Sequence, residues 1–166
     1  GVDLTGAGVS ASTSVTTIDL AGANGTTNII TSTGDANSIS LAPVTATNNP
    51  NLTLQSEGSL TLGSTINING GTLSATVDTN NNGRDTLTVN ATPSAGAMTF
   101  SGTGTGDTID INVDVTTAGA LTIQNAALVD LAANVDLSGG SVAANTGVTE
   151  IRLTGAGANT VAGTAE

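Results

Sequence analysis

The sequence predicts an all-β fold stacked as a parallel β-helix (a β-solenoid), and three observations predict it. Apolar residues alternate with polar ones in short triplets, turn-forming residues separate the triplets, and similar triplets return at intervals along the 166 residues. A β-sandwich or jelly roll is the alternative, because short strands at regular spacing fit that architecture as well.

The triplets begin with Ile18-Asp19-Leu20 and Ile39-Ser40-Leu41, then crowd together as Leu52-Thr53-Leu54, Leu60-Thr61-Leu62 and Ile66-Asn67-Ile68. Leu87-Thr88-Val89, Met98-Thr99-Phe100, Ile109-Asp110-Ile111 and Leu121-Thr122-Ile123 follow. Val129-Asp130-Leu131, Val135-Asp136-Leu137 and Ile151-Arg152-Leu153 complete the series. Each puts two apolar side chains on one face of a strand and a polar one on the other. A lone triplet cannot offset the ordering cost of its backbone, about 1–2 kcal/mol per residue, so many must stack. Between them lie turn signals such as Gly70-Gly71, Asn80-Asn81-Asn82-Gly83 and Ser138-Gly139-Gly140. Pro43, Pro50 and Pro93 sit in these connections, where no ladder hydrogen bond is lost. The Ala-rich stretch from Ala126 to Ala133 is the nearest approach to a helix, but its Val129-Asp130-Leu131 alternation favours a strand.

A repeat of 34–35 residues is suggested by Leu52, Leu87 and Leu121, each of which opens a triplet, with three or four strands per unit. The chain is expected to form a single all-β domain over residues 1–166, as a segment or subunit of a larger surface assembly. Neither end reads as a cap: Gly1 to Gly6 already carry the strand pattern, and five residues follow Val161.

Composition narrows the function. Thirteen acidic residues face two arginines, Arg84 and Arg152, with no Lys, no His and no Cys, for a net charge of −11. Such a chain repels phosphate, which argues against nucleic acid and anionic membranes. No apolar run is long enough for a membrane span. Without His or Cys there is no Ser–His or Cys–His nucleophile, and without Lys no P-loop lysine or Schiff base, so no enzyme is expected. Charged residues are 9% of the chain, and Phe100 is its one aromatic residue. A surface of Thr, Ser, Asn and Gly over an aliphatic core is unlike that of a cytosolic protein.

The segments NLTLQSEGSLTLGSTININGGTLSATVD and GALTIQNAALVDLAANVDLSGGSV resemble repeats of filamentous-haemagglutinin-type exoproteins and autotransporter passengers. The ending IRLTGAGANTVAGTAE is similar in style to autotransporter-associated repeats. The resemblance implies a right-handed parallel β-helix, secretion to a bacterial cell surface, and a role in adhesion or scaffolding.

The sharpest local motif is Asp78-Thr79-Asn80-Asn81-Asn82-Gly83-Arg84-Asp85, which fits the D-x-[DN]-x-[DN]-G start of calcium loops. Side-chain oxygens of Asp78, Asn80 and Asn82, the carbonyl of Arg84 and the carboxylate of Asp85 are the candidate ligands. The twelfth position is Val89, so a full EF-hand is excluded. A polar turn with left-handed Asn residues is the competing reading. Fragments of a calcium-binding nonapeptide occur at Gly83–Leu87, Gly104–Ile109 and Gly155–Val161, but not as an array. Asp107, Asp110 and Asp114 form the densest acidic cluster and are expected on a solvated face. Sequons begin at Asn24, Asn51 and Asn90.

The expected function is therefore structural or adhesive: a component of an extracellular filament, fibre or giant exoprotein that stacks through strand edges. Expected partners are further copies or neighbouring repeats, with glycans as possible ligands and calcium as the possible cofactor. A calcium-dependent carbohydrate-binding or adhesive β-sandwich module is the alternative.

Overall fold

The computed structural model describes residues 3–10, 15–104, 106–145 and 147–163. Among these there is no helix, and every pairing between strands is parallel. The protein is a β-solenoid. Sandwiches and jelly rolls are antiparallel, so that alternative is set aside.

The chain winds through three faces in turn. The first is a seven-stranded sheet of Asp3–Gly6, Thr27–Ser32, Asn51–Ser56, Thr72–Thr76, Ala97–Ser101, Ala120–Gln124 and Ser141–Ala144. The second carries Val9–Ser10 paired with Ile39–Ser40, then five strands: Leu60–Leu62, Thr86–Val89, Thr108–Ile111, Leu128–Leu131 and Glu150–Leu153. The third carries Ile18–Leu20 with Val44–Ala46, and later Val115–Thr116, Asp136–Gly139 and Thr160–Gly163. Between these two groups the third face is marked by the bridges Val44–Ile66 and Asn67–Ser94.

The register gives the true repeat. One stack on the first face runs Asp3, Ile29, Thr53, Ser74, Thr99, Thr122, Ala143, with spacings of 26, 24, 21, 25, 23 and 21 residues. The expected period of 34–35 residues is therefore wrong, while the strands number up to three per coil, the lower of the three or four expected per unit. Leu52 and Leu121 do share a face, three coils apart, but Leu87 lies on the second face. A spacing of about one and a half coils connects similar triplets on different faces.

Inside, like residues lie over like. Leu52, Leu73, Met98 and Leu121 form one buried column, and Leu54, Ala75, Phe100 and Ile123 the next. Leu87, Ile109 and Val129 fill the second face from within. The Phe100 ring is accommodated because the residue in register on one side is only Ala75. Outward positions carry Thr and Ser, as in Thr53, Ser74, Thr99 and Thr122.

The corners let coils of unequal length stay in register. Leading into the first face, Gly71, Gly96, Gly119 and Gly140 stack one per coil, and the amides of Gly96, Gly119 and Gly140 each donate to the glycine carbonyl below at 2.6–2.8 Å. A Cβ on Gly119 would stand 2.6 Å from the Gly96 carbonyl oxygen, so the column closes only without side chains. Elsewhere, Asn69, Asn125 and Asn134 turn corners at φ of 52°, 55° and 62°, the left-handed region that Asn tolerates.

Candidate cation site at one corner

The motif Asp78–Asp85 forms the corner between the first face (Thr72–Thr76) and the second (Thr86–Val89). In the preceding coil the same corner spans only residues 57–59, between Asn51–Ser56 and Leu60–Leu62. The longer corner therefore reaches past it, and the Asn80 amide donates to Asp35 Oδ1 at 2.7 Å while that of Asn82 donates to Asp35 Oδ2 at 3.3 Å. Asp35 belongs to the coil before that.

Asp78 and Asn81 turn the chain with φ of 53° and 54°. Asp78 is fully buried, and its Oδ1 accepts the Asn82 backbone N–H at 2.9 Å. Its Oδ2 is buried with no hydrogen-bond partner. The sequence-predicted ligands thus separate. Asp78 points inward and the amide groups of Asn80 and Asn82 reach Asp35. The Arg84 side chain runs beside Gly106, and Asp85 accepts the Ser59 hydroxyl at 2.9 Å.

The next coil brings a second buried carboxylate to this corner. Asp107 was expected on a solvated face, but it is fully buried. Its Oδ1 accepts the Asp85 N–H at 3.1 Å, and its Oδ2 accepts the N–H groups of Thr103 and Gly104, both at 2.9 Å. The cause is local: Asp107 is in phase with the inward Ile109 and Ile111, and its carboxylate there satisfies the backbone N–H groups of Thr103 and Gly104. The Thr103 hydroxyl in turn donates to the Asp78 carbonyl. Thr105, part of the nonapeptide fragment, lies outside the described residues. Among the described residues no group of three or more carboxylates is placed to hold a metal; this corner combines two carboxylates with amide oxygens.

Asp85 is held above its ordinary value of 3.8, first because burial disfavours the charge; the Ser59 hydrogen bond opposes this, and the charges of Asp78, Asp107 and Asp35 add to it. Just above pH 3.8 the folded chain keeps a proton that the unfolded chain has released. The contribution of Asp85 to stability is thus greatest at low pH and falls as pH rises through this window. Asp85→Asn keeps an acceptor for Ser59 and is expected to melt slightly higher than the parent at neutral pH, with the difference vanishing below pH 3.8. Melting curves from pH 3 to 8 check this; a variant that melts lower at neutral pH contradicts it.

The other acidic residues of the cluster do face outward. Asp110 and Asp130 stack in register on the second face, and Arg152 tops the column and pairs with Asp130. That hydrogen bond from Arg152, with another from Thr154, holds the Asp130 carboxyl below the ordinary range. Asn112 donates to Asp110 at 3.3 Å, and Asp114 accepts the Asp136 N–H at 2.9 Å. Asp130 and Asp114 thus take part in joints between coils, whereas the Asn112–Asp110 bond lies within one coil.

Sequence reasoning missed Asp107 and Asn81 as members of one corner. The signal was present: a period of 21–26 residues superimposes the turn after Ser101 on the turn after Thr76.

The arrangement defines a β-solenoid with an acidic, oxygen-rich corner. Comparison with protein-family models, with curated proteins and with solved structures finds no match to this chain. No helix among the described residues is long and apolar enough to cross a membrane.

Proposed function

We propose that the protein is a non-catalytic structural element of an extracellular, bacterial surface filament or exoprotein, in which coils continue one another end to end. One observation carries this reading: among the described residues, the inward apolar positions of the last coil are exposed. Val129, Leu131 and Leu137 are 1%, 0% and 3% exposed, whereas the residues in register one coil later, Ile151, Leu153 and Val161, are 53%, 61% and 58% exposed. Inward apolar positions that lack a layer above them are what a further β-coil would bury. Leu4, on the first strand, is also exposed.

The further coil belongs to the same polypeptide or to a second copy. The outward rows of Thr, Ser and Asn fit an extracellular surface that meets glycans by hydrogen bonding. Because the chain carries a net charge of −11, association depends on salt, which shortens the repulsion to about 8 Å at physiological strength. Sedimentation and negative-stain microscopy of this 166-residue chain test the proposal. Concentration-dependent association that grows with salt and is reduced by Leu153→Asp is expected. A monomer that stays dispersed at high concentration in moderate salt contradicts it.

A further inference from the structure

The pair Asn–Gly occurs three times, at Asn24-Gly25, Asn69-Gly70 and Asn82-Gly83. In such a pair the backbone nitrogen of the glycine can attack the side-chain amide carbon of the residue before it, because no Cβ shields the approach. All of these residues are exposed, so access to solvent does not separate the pairs. Their hydrogen bonds do.

Two of the pairs are tied to the coil beside them. Gly25 N–H donates to the Asn49 carbonyl at 3.0 Å, and Asn24 Oδ1 accepts the Asn49 N–H at 3.1 Å. Gly70 N–H donates to Asn49 Oδ1 at 3.1 Å, while the Asn69 side-chain amide donates to the carbonyls of Ala46 and Asn48 at 2.8 and 2.9 Å. In both pairs the attacking nitrogen and the carboxamide it would attack are held by other partners. Asn82-Gly83 is different. Among the described residues nothing accepts the Gly83 N–H, and the Asn82 side-chain amide is held by its 3.3 Å bond to Asp35 Oδ2. Apart from its chain neighbours, a Cβ built on Gly83 would meet just the Asp85 carboxylate, 3.2 Å from Oδ2, so the space around this residue is open.

We propose that Asn82-Gly83 is a site of spontaneous deamidation, selected over the other two pairs by the fold. Gly83 N gives up its proton and bonds to Asn82 Cγ; the bond from Cγ to Nδ2 breaks, and ammonia leaves a cyclic succinimide behind. Water then opens the ring at either of its carbonyls, giving aspartate or isoaspartate at position 82. The product matters to the stack. Asn80 and Asn82 reach past the coil between to hold the Asp35 carboxylate. A carboxylate at position 82 has no N–H to offer, and it sets a second negative charge against Asp35. One of the ties between the coils becomes a repulsion, leaving the Asn80 amide to hold Asp35 alone. The proposal does not depend on the filament role.

The full chain is incubated at mildly alkaline pH, folded and in denaturant, and sampled over time. Cleavage before aspartate puts the three pairs on separate peptides, 19–34, 35–77 and 78–84, and fragmentation in the mass spectrometer localises each exchange of amide for acid. In the folded chain Asn82 is expected to convert roughly tenfold or more faster than Asn24 and Asn69, because two or three hydrogen bonds hold each of those pairs against one at Asn82. In denaturant the three rates should converge. Gly83→Ala, which the open space and the absence of a positive φ allow, should slow conversion at Asn82 several-fold. Asn82→Asp copies one product and should melt a few degrees below the parent at neutral pH. Asn82→Ala, which drops the bond without adding charge, should melt between the two. The proposal is overturned if Asn24 or Asn69 converts as fast as Asn82 in the folded chain, or if the same preference persists in denaturant. It is equally overturned if Gly83→Ala converts as fast as the parent, or if Asn82→Asp melts as high.

Discussion

Replacing Phe100 by Ala is expected to lower the stability of the protein by about 3–5 kcal/mol. The ring is fully buried and is the largest side chain of the interior. It lies between Ala75 and Ile123 in register, so the layer on one side already contributes only a methyl group. Truncation would put two alanines in succession in that column. The walls cannot close on the void, because ladder hydrogen bonds fix successive strands about 4.8 Å apart. Phe100→Leu retains much of the volume and should lose about half as much. Denaturant unfolding followed by far-UV circular dichroism measures both, since the chain has no Trp or Tyr to report by fluorescence. A loss below about 1 kcal/mol for Phe100→Ala would mean that the ring is not packed as described.

Asp107→Ala is expected to cost a similar amount, about 3–5 kcal/mol, for a different reason. The carboxylate accepts three backbone N–H groups, those of Asp85, Thr103 and Gly104, and it does so fully buried. Alanine leaves these donors unpaired at a corner where Gly102 presses on the same side chain: a Cβ on Gly102 would stand 2.6 Å from Asp107 Oδ2. Asp107→Asn keeps one acceptor and turns an amide nitrogen toward an N–H donor, so it should fall between the two. Measured in chelator, the loss is separated from any effect of cation binding. Hydrogen exchange at the amides of Asp85, Thr103 and Gly104 should accelerate in the Ala variant, ahead of amides in the distant first coils. Unchanged exchange at all three would contradict the buried role of Asp107.

The solenoid was legible because period-two triplets identify strands without reference to tertiary structure. Nearly all of the triplets became strands, and Ile66-Asn67-Ile68 became a bridge on the third face. The coil length was not legible from them, since Leu52-Thr53-Leu54 and Leu87-Thr88-Val89 look alike while belonging to different faces. A better ruler was the glycine column, because Gly71, Gly96, Gly119 and Gly140 mark a single corner at spacings of 25, 23 and 21 residues. The acidic corner was half legible. Asp78 stands out within its own motif, but what lies over it depends on the register of the next coil. Asp107 was grouped with the outward carboxylates by its nearness to Asp110 and Asp114, but the alternation that buries Ile109 and Ile111 puts it on the inward face, where the amides of Thr103 and Gly104 meet its carboxylate.

The parallel ladders have a mechanical consequence. Their hydrogen bonds run along the stack, so tension applied between the two ends passes in full through every joint between coils, and no joint shares its load with another. The protein would then yield by peeling, a coil at a time. Each coil released would pay out 21–26 residues, about 70–95 Å of extended chain at 3.3–3.6 Å per residue.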